Sequence, residues 1–396
     1  MLGRGSRHGT SSSRAAAEGA APAQPAAGRP VPETLARCSS PAARPELAQQ
    51  LKEHYMDVCE SWKTEQQLPV VYDPGYNITL FGLEKMHPFD SCKFSKVVAG
   101  LRTNGIISNN SQLVTPLPAT LIALQSIHSP AYLQQLHTSS LKVAQVTELA
   151  PLAMLPHFLV QRKVLQPMRL HVGGTVLAAA LAVTHGWAVN VGGGMHHAHS
   201  EDGAGWCPYA DITLAVQRIR AASAGSVSRV MVIDLDVHQG NGVERDKLAA
   251  GDADMYILDM YNGHTFPLDT PAKAAINAKV ELEPGTADEQ YLSELHSLLA
   301  KAAAEFPQPH LIIYNAGTDI LAGDPLGRLS VSPAGVQQRD AAVFAFAEQQ
   351  GAPVAMLLSG GYTRASAGVI VDSLTALLRG LASKLGALGD ASRCDN

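Results

Sequence analysis

Five short runs in this chain are apolar almost throughout: Trp187–Val191, Arg229–Asp234, Met255–Asp259, His310–Asn315 and Pro353–Leu358. A strand with one wet face would alternate apolar and polar residues, and these do not. Both of their faces must be covered, which calls for a parallel sheet between two helical layers. The stretches around them supply the helices. Lys93–Arg102, Ala131–His137, Leu170–His185, Ile212–Ala222, Ala287–Ala304, Pro333–Gln349 and Ala365–Leu385 carry helical patterning, and Leu47–Trp62 adds an amphipathic segment. Pro333 suits a first helical turn, and Ser332 before it suits an N-cap. Val70–Asp73 reads as one further short strand. The expected fold class is α/β: a single domain with a central, mostly parallel sheet and helices on both faces.

Polar residues gather where these runs end. In Val232–Ile233–Asp234–Leu235–Asp236–Val237–His238 the polar groups fall at every second position. Alternate residues of a strand face the same way, so Asp234, Asp236 and His238 are expected to project together. Asp236 and His238 suit direct ligation of zinc, with Asp234 behind them. A surface strand end with solvated acids is the plainer alternative. Trp187–Val191 leads into Gly192–Gly193–Gly194–Met195–His196–His197. Two adjacent histidines on an irregular turn suit proton transfer beside a metal. Leu311–Asn315 leads to Asp319, a third candidate ligand, and Val354–Leu358 leads to Ser359–Gly360–Gly361–Tyr362. The Tyr362 phenol is a candidate donor to a developing oxyanion. All lie just past the C-terminal ends of predicted strands, where open parallel sheets bind ligands. His199 reads as a surface loop residue, and His171, His185, His264 and His310 as structural ones.

The order His-His, Asp-x-Asp-x-His, Gly-Thr-Asp, Gly-Gly-Tyr resembles the zinc-dependent histone deacetylases, which have the arginase/deacetylase fold. Tyr72–Asn77–Ile78–Thr79, Gly82–Lys85, Phe158–Leu165, Asp236–Gly242 and Tyr314–Leu321 resemble the class IV branch in particular. The resemblance spans about residues 68–378. It implies one Zn2+ held by Asp236, His238 and Asp319. His197 would carry the proton transfers, with His196, held by Asp234, as its electrostatic neighbour. Tyr362 would hold the oxyanion with the zinc. Gly205 and Trp206 would wall a tube for the acyl-lysine stem, with Phe266 facing them, Leu326 at the rim and Met195 at the floor. Asn241 stands where many members carry an acid, and Met195 where many carry Trp. A structural K+ near Asp259, Asp234, Asp236 and His238 is also implied. The expected reaction is hydrolysis of N-acyl-lysine amides in a protein or peptide, histone tails among them, with long acyl chains preferred. Rival readings are an acetylpolyamine hydrolase on the same fold, a two-metal ureohydrolase of the arginase type, and a non-catalytic acyl-lysine binder. The ureohydrolase would need additional aspartates bridging two ions, and the stretch after Asp319 offers no such cluster.

Charge narrows the partners. Residues 1–44 hold six Arg and two Glu, hence +4, whereas the rest holds 24 basic and 33 acidic residues, hence −9. A mildly acidic body is a poor direct nucleic-acid binder and suits a basic, lysine-bearing peptide. Residues 1–45, rich in Ala, Ser, Pro, Gly and Arg, are expected to be disordered, and residues 389–396 to form a loose tail, leaving 46–388 as the catalytic domain. Low acidity with Arg and Ser at the start also fits a plastid or mitochondrial transit segment, set against a nuclear or cytoplasmic protein. No run has the length of a membrane span, because His185 and Gly186 end the longest apolar helical stretch. Five scattered cysteines without a C-x-x-C pair suggest reduced thiols.

Overall fold

A computed structural model describes residues 45–55, 57–59, 62 and 67–394. The expected disordered segment therefore lies outside the described residues, apart from Pro45. The centre is a seven-stranded sheet: β1 (Val70–Val71), β2 (Trp187–Asn190), β3 (Val230–Asp234), β4 (Met255–Asn262), β5 (Ala278–Leu282), β6 (Leu311–Asn315) and β7 (Val354–Leu357). Their order is β1-β2-β7-β6-β3-β4-β5, and every pairing is parallel. Entirely parallel pairing goes one step beyond the mostly parallel sheet expected. β5 is an addition. Its Lys279 and Glu281 face outward at the sheet edge, so the segment lacks the apolar run of the buried strands.

The main helices are α1 (Pro45–His54), α2 (Lys93–Thr103), α3 (Gln166–His185), α4 (Asp211–Ala222), α5 (Asn241–Ala250), α6 (Asp288–Glu305), α7 (Pro333–Gln350) and α8 (Ser366–Cys394). Helix α8 runs through residue 394, where the sequence suggested a loose tail. Ser332 caps α7 as expected, its hydroxyl accepting the Gly335 amide. The strand residues divide by parity between two cores. Met231, Ile233, Ile312, Tyr314 and Met356 pack in one cluster with side chains of α2, α6, α7 and α8. Val230, Val232, Leu311, Ile313 and Leu357 pack in the other, with α1, α3 and α4. Period-two alternation is thus present, but both of its phases are dry.

Helix α3 is buried along nearly its whole length. Gly174 lets it approach the sheet, since a Cβ there would stand 1.9 Å from the Tyr76 hydroxyl. It continues backward through a π-helical turn at Gln161–Leu165, and His157–His185 together is long and apolar enough to cross a membrane. Ser366–Ser383 passes the same test. The sequence expectation that no run reaches that length is thus corrected for both, the first because its helix begins at His157 and not at Leu170. The first has 83% of its apolar window inside the protein, which makes it the central core helix of the fold.

From β3 the chain moves outward to β4 and β5; it then returns to β6 beside β3 and moves the other way to β7. The switch point of the sheet lies between β3 and β6. Loops leaving the C-terminal ends of two such strands diverge and leave a crevice. Asp236 and His238 follow β3, and Asp319 follows β6.

Candidate active site

β3 ends at Asp234, so the spacing of Asp234, Asp236 and His238 is not strand alternation. The chain turns instead. Asp234 Oδ1 accepts the Asp236 amide at 3.2 Å, and Asp236 Oδ1 accepts the His238 amide at 3.1 Å. Each carboxylate closes a turn two residues on, a habit of Asp. The three side chains then part. Asp236, His238 and Asp319 are buried together with ligand atoms within 4.8 Å of one another. Asp234 faces away from them and takes His196 Nδ1 at 2.8 Å.

The triad suits a metal cation. Asp319 Oδ1 accepts the Val237 amide, while its buried Oδ2 has no hydrogen bond and lies 3.3 Å from His238 Nδ1. Burial works against a charged imidazole at His238, yet the two carboxylates outweigh it and raise its pKa to about 10. The pocket thus favours positive charge. Two carboxylates and one imidazole form a donor set that leaves room for water and substrate on a four-coordinate ion. Asp236 Oδ2 is fixed by Ser359 Oγ and the Gly360 amide, both at 3.0 Å. Gly360 is required here, since a Cβ would fall 2.2 Å from Asp319 Oδ2.

The histidine pair sits against this triad. The His196 and His197 rings are 4.1 Å apart, and His197 lies edge-on to His238 at 5.9 Å. Burial opposes charge on His196, but Asp234 and then Asp236 prevail and lift its pKa to about 9. Burial holds His197 well below the usual imidazole range, and the neighbouring His196 and His238 depress it further. Its Nδ1 is 2.8 Å from Asn241 Oδ1. The loop before the pair hangs on two buried groups. Asp211 accepts the Gly194 and Met195 amides at 2.8 Å each, and His171 Nδ1 accepts the Gly193 amide at 3.2 Å.

Tyr362 lies 5.9 Å from His238, ring perpendicular to ring. Burial, followed by Asp319 and Asp236, keeps its phenol well above the ordinary range, so it stays a donor. Its backbone amide is held by Asp324 Oδ2 at 2.8 Å. Trp206 is buried in a left-handed conformation (φ 66°) beside Gly205 (φ 54°). A Cβ on Gly205 would reach 2.6 Å from His197 Cδ2. Phe266 stands edge-on to His197 at 4.9 Å and is partly exposed, as is Leu326. Met195 is buried in the same apolar cluster as Trp206. A cavity of about 660 Å³ opens beside His197, lined by Glu201, Asp202, Phe266 and Asp269 among others.

Several participants escaped the sequence reading. His87 and Phe89 bridge Trp206 and Tyr362, His87 at 4.9 and 6.3 Å and Phe89 at 5.8 and 5.9 Å. Lys93 is fully buried at the start of α2 and donates to the Ser359 carbonyl and, at 2.7 Å, to that of Gly360. Burial lowers its pKa to about 8, against the pull of Asp319 and Asp236. Arg339 of α7 lies beneath the switch point, donating to the Gly317 carbonyl and paired with Asp340 at 2.9 Å. Behind β3, Asp259 and Glu244 are buried, each with one oxygen lacking a partner.

The histone deacetylase domain family matches residues 87–378. The chain belongs to that family. It is accordingly a deacetylase-family hydrolase. Over 317 residues it is 48% identical to histone deacetylase 2 of Arabidopsis thaliana, covering 79% of each chain. It is 30% identical over 296 residues to an uncharacterized protein of Picosynechococcus sp., covering 75% of this chain and 92% of that one. The crystal structure of the HDA15 HD domain superposes with a TM-score of 0.64 over 78% of this chain and 88% of that one, at 21% identity. That last likeness supports the arginase/deacetylase fold alone.

Proposed function

We propose that the chain hydrolyses the amide of N-acyl-lysine in a protein or peptide, with zinc held by Asp236, His238 and Asp319. The observation that carries this reading is the buried triad facing His197 and Tyr362. Zinc bound there would polarise the acyl carbonyl and make a water more acidic. The chain's own groups do the rest. Neutral His197 takes a proton from water on Nε2 as the oxygen attacks the carbonyl carbon. It returns that proton to the lysine nitrogen as the C–N bond breaks. Tyr362 donates its hydroxyl to the oxygen that gains charge. His196, held cationic by Asp234, adds positive potential beside His197. Trp206, with His87 and Phe89, lines the path of the lysine methylenes and keeps water from them. A K+ near Asp234 and Asp259 is part of the same reading, as the family resemblance implies.

Membership of the class IV branch is part of the proposal, supported by Asn241 and by the run Phe158–Leu165. So is a preference for long acyl chains. Met195 occupies the place of a larger Trp, and each further buried methylene would contribute about 0.8 kcal/mol. The test compares kcat/KM of the zinc-loaded chain on one peptide carrying acetyl-lysine or myristoyl-lysine, with an acetylpolyamine as the third substrate. Faster cleavage of the myristoyl peptide is expected. Equal or better acetyl cleavage removes the chain-length preference, and turnover of the polyamine alone removes the protein substrate. In His238→Ala, bound zinc and hydrolysis should both fall sharply; full zinc content there would overturn the ligand assignment.

A further inference from the structure

Asn241 presents a problem that the structure resolves. A carboxylate against His197 Nδ1 can only accept, which forces the proton onto Nδ1 and leaves the Nε2 lone pair for the substrate water. An amide has an accepting end and a donating end of nearly equal size. Turned one way, Asn241 enforces the same tautomer. Turned the other way, its NH2 faces Nδ1, the proton moves to Nε2, and His197 has no lone pair to offer.

The far side of Asn241 decides the matter. Its Nδ2 lies 3.2 Å from Asp269 Oδ2. A carboxylate has no proton to give, so only the NH2 can face it, and Oδ1 is left toward His197 at 2.8 Å. Asp269 is itself fixed. Arg245 Nε donates to the same oxygen at 2.5 Å. Gln239, the residue after His238, accepts the Asp269 amide at 3.1 Å and donates to its carbonyl at 3.0 Å. Burial pushes the Asp269 carboxyl up, but Arg245 and Asn241 outweigh it and hold it below the ordinary range, so it remains an acceptor.

We propose that Asp269 is a positioning residue that sets the proton of His197 through Asn241. The proposal rests on the reading of His197 as proton carrier.

Its test is a pair of substitutions in the zinc-loaded enzyme. Asp269→Ala removes the acceptor and lets either end of Asn241 face His197. Rings in the wrong tautomer cannot serve as base, so kcat should fall at least about twofold, in step with the fraction of His197 protonated on Nε2. KM and zinc content should stay within about twofold. In an Asn241→Asp background the acceptor is fixed without help, so adding Asp269→Ala should change kcat by less than about 1.5-fold. The same loss in both backgrounds would make Asp269 a mere loop support and overturn the proposal. A second readout does not depend on turnover. Nitrogen-15 NMR of labelled histidines should show the proton on His197 Nδ1 in the parent, mixed protonation in Asp269→Ala, and Nδ1 again in the double variant. An unchanged tautomer in Asp269→Ala overturns it as well. Should His197→Ala hydrolyse substrate normally, the proton-carrier reading falls, while the NMR series still decides whether Asp269 governs the ring.

Discussion

Acid should loosen this protein through His171, a histidine the mechanism never uses. Its ring stacks on Tyr76 at 4.1 Å and is buried. Nε2 donates to the Tyr76 carbonyl at 3.0 Å, and Nδ1 accepts the Gly193 amide at 3.2 Å. A second proton would set N–H against N–H. Burial lowers the pKa from 6.5 to about 4, despite the Tyr76 carbonyl and with a push from Lys93. The unfolded chain takes up the proton near pH 6.5, whereas the folded chain refuses it until about pH 4. Within that window the unfolded state binds more protons, so stability rises with pH and is lost on acidification. Between about pH 8 and pH 5 the loss from this residue alone is about 2 kcal/mol. His128 and His185, also lowered to about 4 by burial, add to the total. The contribution of His171 is therefore read as a difference. Denaturant midpoints of the parent and of His171→Gln are compared at the two pH values, with equal metal load. The parent should lose about 2 kcal/mol more than the variant. Equal losses would refute the reasoning. The Gly193 amide is released only when the folded ring itself takes the proton, so a loss of activity from this contact belongs near pH 4.

Tyr362→Phe removes one hydroxyl, and kcat should fall about 10²–10³-fold with zinc content and fold retained; unaffected turnover would remove the phenol from the oxyanion site. Gly360→Ala drives a methyl between Asp319 and Asp236, to 2.2 and 2.5 Å of their Oδ2 atoms. Metal analysis should show zinc lost while far-UV circular dichroism is kept. Lys93→Met removes both donors beneath the Gly-Gly-Tyr loop, and kcat should fall about tenfold with little change in KM, measured by steady-state kinetics.

How much of this was legible depended on whether neighbours in sequence are also neighbours in space. The buried strands announced themselves, because being covered on both faces leaves no polar positions. Asp236, His238 and Asp319 were legible for the same reason: charged groups closing apolar runs have nowhere to go but the crevice. The reason given for their spacing needed correction, since hydrogen-bonded Asp turns, not strand alternation, set it. Helix α5 escaped notice because Asn241–Ala250 is mostly polar and has little apolar periodicity. Lys93, His87 and Asp269 could not be found by pattern at all. Each acts on a partner distant in sequence, as Lys93 does on Ser359, 266 residues away. Each looks like an ordinary loop or helix-end residue until the chain is folded.

The switch point also fixes when the enzyme can exist. Val237 and Asp319, joined at the buried Asp-His-Asp triad, lie 82 residues apart, and the Ser359 hydroxyl that steadies Asp236 is 123 residues from it. No local segment holds two sides of the pocket. Parallel pairing of this kind is non-local, and contacts of high sequence separation form slowly. During synthesis, β3 and β4 can meet early, yet the crevice has only one bank until β6 arrives between β3 and β7. The acidic residues after β3 must wait in an open edge beside unpaired backbone. A chain stopped before Asp319 would carry half of the proposed metal site, one stopped before Tyr362 a site without its proposed oxyanion donor. Catalytic competence is thus a late event in the life of this chain, reached only when its last quarter has docked.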